Sequence, residues 1–200
     1  IVPNAKLKFH SVLWNPTRTG AVEVLKRMGV EFQNLSVKND GPESAADFAI
    51  VGAPLRSFEI QKNELPSLID EIPILTVLAT QPKGTSVIRV KETDRIDSMV
   101  GNLSKMGAKI LAKGNTLCVE GPTPLKGAIV NSFKDHRTAM SMVVAGMIAE
   151  GETVRITYRG TENLKTKFGM KDVHQVDVEV YEEEEPENPY LKHEYIGEKN

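Results

Sequence analysis

Two stretches of the chain share one pattern of apolar and polar positions. Residues 22–32 (VEVLKRMGVEF) and 100–110 (VGNLSKMGAKI) carry apolar side chains at helical spacing and share a Met-Gly pair. Each predicts the end of an amphipathic helix, with Gly29 and Gly107 at the left-handed position that terminates it. A β-rich run follows each, at 30–37 and 108–111, and then a strand and turn at 48–55 and 117–125. A second kind of helix also recurs. Residues 69–79 and 139–149 are apolar nearly all round, which predicts helices in a domain centre rather than on its surface. Pro73 fits the first turn of the former, where its missing N–H is not needed. Each of these helices is expected to end at a glycine, Gly84 or Gly151, and to lead into a strand, 85–89 or 153–158.

The recurrence is a diverged internal repeat. It predicts two fuller α+β units and a partial third, packed around central buried helices. Short strands interleaved with helices favour an α+β fold over a doubly wound parallel sheet. Residues 39–46 (NDGPESAA) predict a loop. Past about residue 170 the periodicity fails. There, 173–180 alternates and could form one strand, and 182–188 is a charged run with a proline, expected to be disordered. The expected division is a domain over 1–170 and an acidic tail over 171–200.

Composition narrows the function classes. Two hundred residues suffice for one sizeable core, and 40% apolar with 26% charged residues is ordinary for a soluble domain. A net charge of -2 points to neither a nucleic acid nor a membrane partner. The charge is uneven: residues 171–200 carry about seven net negative charges, leaving about five net positive elsewhere. Either a basic body meets anionic small molecules, or a solvated acidic tail is attached to an ordinary domain. The one cysteine, Cys118, cannot form an internal disulfide, which suggests a reducing, cytoplasmic setting. Its apolar neighbours predict a buried, inert thiol. No apolar run approaches the roughly 18 residues of a membrane span, and Ile1-Val2-Pro3-Asn4 does not open a signal peptide. The absence of an initiator methionine fits a fragment, a domain or a processed product.

Four clusters could carry chemistry. In Arg89-Val90-Lys91-Glu92-Thr93-Asp94-Arg95-Ile96, Lys91 and Arg95 are i,i+4 neighbours at a predicted helix start, so both cations could face one anion. Glu92 between them could take or give a proton. The alternative is a solvated helix start laced with ion pairs. In Asp135-His136-Arg137, a helix N-terminus favours anions and Arg137 would add a forked cation; alternatively Asp135 is an N-cap and Arg137 a surface residue. Asp70 opens the other apolar helix, as a cap, as a group projecting into a cleft at the end where Arg137 lies, or as both. Lys165-Thr166-Lys167 is a lysine pair in a loop, which is usually just solvated.

These clusters, with Asn15-Pro16-Thr17-Arg18-Thr19-Gly20 and Leu68-Ile69-Asp70-Glu71-Ile72-Pro73, resemble the EPSP synthase (3-phosphoshikimate 1-carboxyvinyltransferase) family of enolpyruvyl transferases over about residues 7–168. The Lys-Glu-Thr-Asp-Arg run at 91–95 is close to a family signature, and Asp135-His136-Arg137-Thr138-Ala139-Met140 agrees with it. The family's chains are roughly twice this length, so an N-terminal half is expected to be absent here. The resemblance implies a domain built from repeats of a βαβαββ-like unit. It implies transfer of the enolpyruvyl group of phosphoenolpyruvate to the 5-hydroxyl of shikimate 3-phosphate, with release of phosphate and with no metal or organic cofactor. The site would lie in a cleft shared with the N-terminal domain, a necessary partner.

Carried over by position, Asp70 matches the carboxylate that contacts the shikimate hydroxyls and is a candidate proton acceptor. Lys91 matches the lysine near the reacting hydroxyl, and Glu92 the proton donor to the enol methylene. Arg95 and Arg137 match the arginines that hold phosphoenolpyruvate. Lys165 matches a third cation, with Lys167 as its alternative, and His136 supports Arg137. Two other readings stand beside this one. The chain could be a non-catalytic domain that binds phosphate or phosphoenolpyruvate and awaits a partner half. It could also resemble the sibling UDP-N-acetylglucosamine enolpyruvyl transferase, against which the run at 89–95 argues.

Overall fold

In a computed structural model, the described residues are 1, 5–39, 41–90, 94–151, 153–159 and 175–181. The chain opens with β1 (Lys6–Leu13), α1 (Gly20–Arg27), β2 (Gln33–Lys38) and β3 (Ala45–Val51). It continues through β4 (Glu59–Ile60), α2 (Ile72–Leu78), β5 (Gly84–Arg89), α3 (Asp94–Lys105), β6 (Lys109–Lys113) and β7 (Thr116–Gly121). It closes with β8 (Ile129–Asn131), α4 (His136–Met147), β9 (Thr153–Arg159) and β10 (Gln175–Tyr181). From α1 onward the order helix, three strands, helix, strand runs through twice, as the repeat predicts. β4 to β7 form one full βαβαββ unit.

The sheets repeat as well. β1-β3-β2 has the same order as the β5-β7-β6 part of the sheet β4-β5-β7-β6. β4 pairs parallel with β5, and β8 pairs parallel with β9, so each buried helix crosses between parallel strands. β10, inside the stretch expected to be tail, pairs parallel with β9.

The two helix ends with Met-Gly form as the pattern predicts. Gly29 and Gly107 have φ of 94° and 87°, a conformation a side chain disfavours. The amide of Val30 donates to Leu25 O at 3.0 Å, and that of Ala108 to Leu103 O at 2.8 Å. These are the backbone closures of a Schellman motif. The carbonyls of Met28 and Met106 accept from Arg56 and Lys126 at 2.9 and 2.8 Å, so both units turn the chain back at the same point.

Two apolar cores meet at α2. Ile72 and Leu75 pack with Val24, Met28, Leu68, Ile88 and Leu117, whereas Val77 packs with Met99, Leu103, Met106 and Met142. The helix is therefore largely buried, with Ile74 and Leu78 partly so. Its polar groups are met internally: Thr76 Oγ1 donates to Ile72 O at 2.8 Å. α4 packs against α2 but is not wholly buried, since Met140 is 51% exposed. Cys118 is half-buried rather than buried: along β7 it alternates with Leu117 and Val119, which face the core.

Three boundaries differ from expectation. Residues 69–71 form a 3-10 turn ahead of α2 rather than its first turn. Gly84 and Gly151 lie several residues beyond their helices, at or just before β5 and β9, so they shape strand starts and not helix ends. Ala45 and Ala46, expected in a loop, already belong to β3. The run 182–188 lies outside the described residues.

Candidate functional site

The site begins with how α4 starts. Phe133 and Lys134 take left-handed φ values of 53° and 61°, which swings the chain into Asp135. The Phe133 amide donates to Asn131 Oδ1 at 2.7 Å and steadies this turn. Asp135 is extended, and its Oδ1 accepts from the Arg137 amide at 2.8 Å. It is thus the N-cap, as one of the two readings of its sequence held. Arg137 consequently projects from the first turn of α4, with the positive end of the helix dipole behind it.

Asp70 comes from the equivalent place in the preceding unit. Buried Leu68 anchors the chain, and the 3-10 turn then carries Asp70 to the start of α2. α2 and α4 pack together, and the ion pair between Asp70 and Arg137 shows that their starts lie at one end of the domain. Arg137 Nη2 is 3.1 Å from Asp70 Oδ1, with side chains 29% and 27% exposed. A third residue joins them: Arg18 Nη2 donates to Asp70 Oδ2 at 3.3 Å. Asp70 therefore stands between two guanidinium groups supplied by different units of the repeat. Ion pairs this open to solvent are worth about 0–1 kcal/mol each. An incoming anion could draw Arg137 away from Asp70 at small cost.

Glu71 is half-buried beside this cluster. Burial raises its pKa above the ordinary value, and the Asp70 charge adds to the rise. Nearby Arg18 and Arg137 pull in the opposite direction without reversing it. Glu71 thus takes up a proton at higher pH than an ordinary glutamate does.

The remaining candidates divide as follows. His136, the first residue of α4, is exposed. Arg95 is the second residue of α3. Lys91, Glu92, Lys165 and Lys167 lie outside the described residues, and so does the expected i,i+4 pairing of Lys91 with Arg95. Arg18 and Glu71 received no role from the sequence. Both stood in quoted motifs, but nothing in their spacing connects Arg18 with a carboxylate 52 residues away. Among the described residues, no group of three or more His, Cys, Asp or Glu could hold a metal ion, and no helix is long and apolar enough to cross a membrane.

Comparison with known proteins agrees with this architecture. The family model for EPSP synthase (3-phosphoshikimate 1-carboxyvinyltransferase) matches residues 1–163. The 3-phosphoshikimate 1-carboxyvinyltransferase of Bacillus anthracis (strain A0248) is 43% identical over 160 residues, which is 77% of this chain and 37% of that protein. That of Brevibacillus brevis is 44% identical over 183 residues, 85% of this chain and 43% of that protein. The structure of EPSP synthase from Acinetobacter baumannii superposes with a TM-score of 0.71 at 32% identity, covering 76% of this chain and 37% of that one. The chain thus spans about two fifths of the length of the curated relatives it matches. On its sequence, its repeat and its fold, the chain belongs to the EPSP synthase family.

Proposed function

We propose that this chain supplies one side of an active site that moves the enolpyruvyl group of phosphoenolpyruvate onto the 5-hydroxyl of shikimate 3-phosphate. The observation that carries the reading is the pairing of Asp70 with Arg137 at 3.1 Å, where two helix starts of the repeat meet. It brings a carboxylate suited to hydroxyl groups next to a fork suited to a carboxylate or phosphate.

In the proposed reaction, C3 of phosphoenolpyruvate gains a proton, and the 5-hydroxyl oxygen, losing its own, bonds to C2. The resulting tetrahedral intermediate then expels phosphate as a proton leaves the new methyl group, which restores the double bond. Glu92 gives the proton to carbon. Asp70 holds the shikimate hydroxyls and is the candidate acceptor, with Lys91 beside the reacting oxygen. Arg95, Arg137 and Lys165 (or Lys167) hold the phosphoenolpyruvate anion and stabilise charge in the intermediate, and His136 supports Arg137. A partner N-terminal half completes the cleft and excludes water. The lone Cys118, which cannot form an internal disulfide, supports a reducing, cytoplasmic setting.

A second reading follows from coverage. The matched region is 37% of the Bacillus anthracis relative. By itself the chain would bind phosphoenolpyruvate without turning it over, because half a cleft forfeits much of an orientation contribution of roughly 7–11 kcal/mol.

Phosphate release from the two substrates separates these readings. The account expects none from the chain alone and steady release once an N-terminal half of a relative is added. Glu92→Ala should lower that release by about 10²–10⁴-fold, the range for a lost general acid. A mixture that associates but releases nothing would overturn the catalytic reading.

A further inference from the structure

The first sheet, β1-β3-β2, sorts its side chains by face. Phe9 pairs with Phe48 and Leu7 with Ile50, while Val12 and Val37 both pair with Ala46. Paired residues share a face, and so do residues two apart on a strand. Leu7, Phe9, Val12, Val37, Phe48 and Ile50 therefore lie together, and the rings of Phe9 and Phe48 stack at 4.7 Å. The opposite face is polar: there Lys38 Nζ and the Ser11 amide donate to the Asp47 carboxylate at 2.6 and 2.8 Å. None of the six apolar side chains belongs to either core. Leu7 is 52% exposed, and Val12 and Val37 are exposed as well.

The second unit shows what covers such a face. There Ile88 pairs with Leu117 and Ser86 with Val119, in the register of Phe9 with Phe48 and Leu7 with Ile50. All four are fully buried. Ile72 and Leu75 of α2, the helix that leads into β5, share a core with Ile88, Leu117 and Val119. α4 likewise leads into β9 and packs against it. Each of these helices follows a short strand, β4 or β8, that pairs parallel with the strand after the helix. β1 begins at Lys6, so these 200 residues hold no such strand and helix ahead of it. Among the described residues, nothing pairs with its outer edge. We propose that this apolar face is a docking surface for the partner N-terminal half, which lays an apolar helix across it and adds the short strand ahead of that helix parallel to β1. An apolar face beside a free strand edge is costly to leave in water. A strand–helix pair meets both needs, the strand through the backbone of β1 and the helix through the side chains. The inference rests on the partner half of the proposed function, and not on the reaction assigned to it.

Hydrogen exchange and sedimentation of the 200-residue chain, alone and with an N-terminal half of a relative, test it. The mixture should slow amide exchange in β1 by about tenfold or more and leave β6, an edge strand of the second sheet, unchanged. Leu7→Lys combined with Val37→Lys should weaken association about tenfold or more, since each puts a charge where an apolar side chain is to be buried. Leu111→Lys, at an exposed apolar position on β6, should not weaken it. If the double variant does not fold, Leu7→Lys alone decides, with an expected weakening of about threefold or more. Association that resists these changes, or that protects only other elements, overturns the inference; phosphate release by that mixture would leave the proposed function standing. Association that protects β1 and is lost in the double variant supports the inference even where no phosphate is released. A chain that dimerises by itself, and loses the dimer with Leu7→Lys, makes a second copy the occupant and overturns the inference. No association at all overturns it together with the partner reading beneath it.

Discussion

Single residues at this site act through charge and burial. Glu71 shows how the sign works. Its pKa is raised in the folded chain by burial and by Asp70, so the folded state binds its proton more tightly than the unfolded state does. Stability from this group is therefore greatest below its unfolded value near 4.5 and falls as pH rises through the raised folded value. Glu71→Gln removes the titration. The account expects Glu71→Gln to gain stability relative to the unaltered chain as pH rises from about 4.5 towards neutrality. Urea unfolding at a series of pH values reads this directly, and a difference independent of pH would contradict it. Asp70 and Arg137 were legible in the sequence because each precedes or opens a recurring apolar helix. The contact of Arg18 with Asp70 was not, since it spans 52 residues and depends on a close tertiary approach at Gly20.

At the level of elements, helix ends marked by Met-Gly were legible because a left-handed glycine and its backbone closures are local chemistry. The starts of the buried helices were less so. An apolar run does not distinguish a 3-10 turn from an α turn, so residues 69–71 read as helix. In α4 the start falls where one of the two sequence readings put it, with Asp135 as the cap and His136 the first helical residue. α3 is tied to the short strand β8 by a side chain that no pattern reveals. The Asn102 amide group donates to Asn131 O at 2.6 Å and accepts from the Asn131 amide at 2.9 Å, with Asn102 fully buried. Asn102→Ala leaves a backbone donor and acceptor unmet. It should cost about 1–3 kcal/mol in unfolding free energy. A change within error in the denaturant midpoint would show that those groups find other partners.

Across the whole molecule, the repeat decides where chemistry can collect. Each full pass through the helix–strand order brings a polar helix start to the same end of the fold, so Asp70 and Arg137 meet there, joined by Arg18 from the loop ahead of α1. The repeat itself was legible, because periodicity and glycine placement recur along the chain. The sheet pairings among the described residues were only partly so: strand pairing is non-local, and β10 pairing parallel with β9 has no local signal. The central claim is that the Asp70–Arg137 end of the domain is the substrate face. The most direct measurement is an amide NMR titration of phosphoenolpyruvate into the isotope-labelled chain. The account predicts saturable shifts centred on Arg137, Thr138 and Ala139 at the start of α4 and on residues 69–72, all lost in Arg137→Ala. Shifts confined to the β1-β3-β2 sheet, or none that saturate, would contradict it.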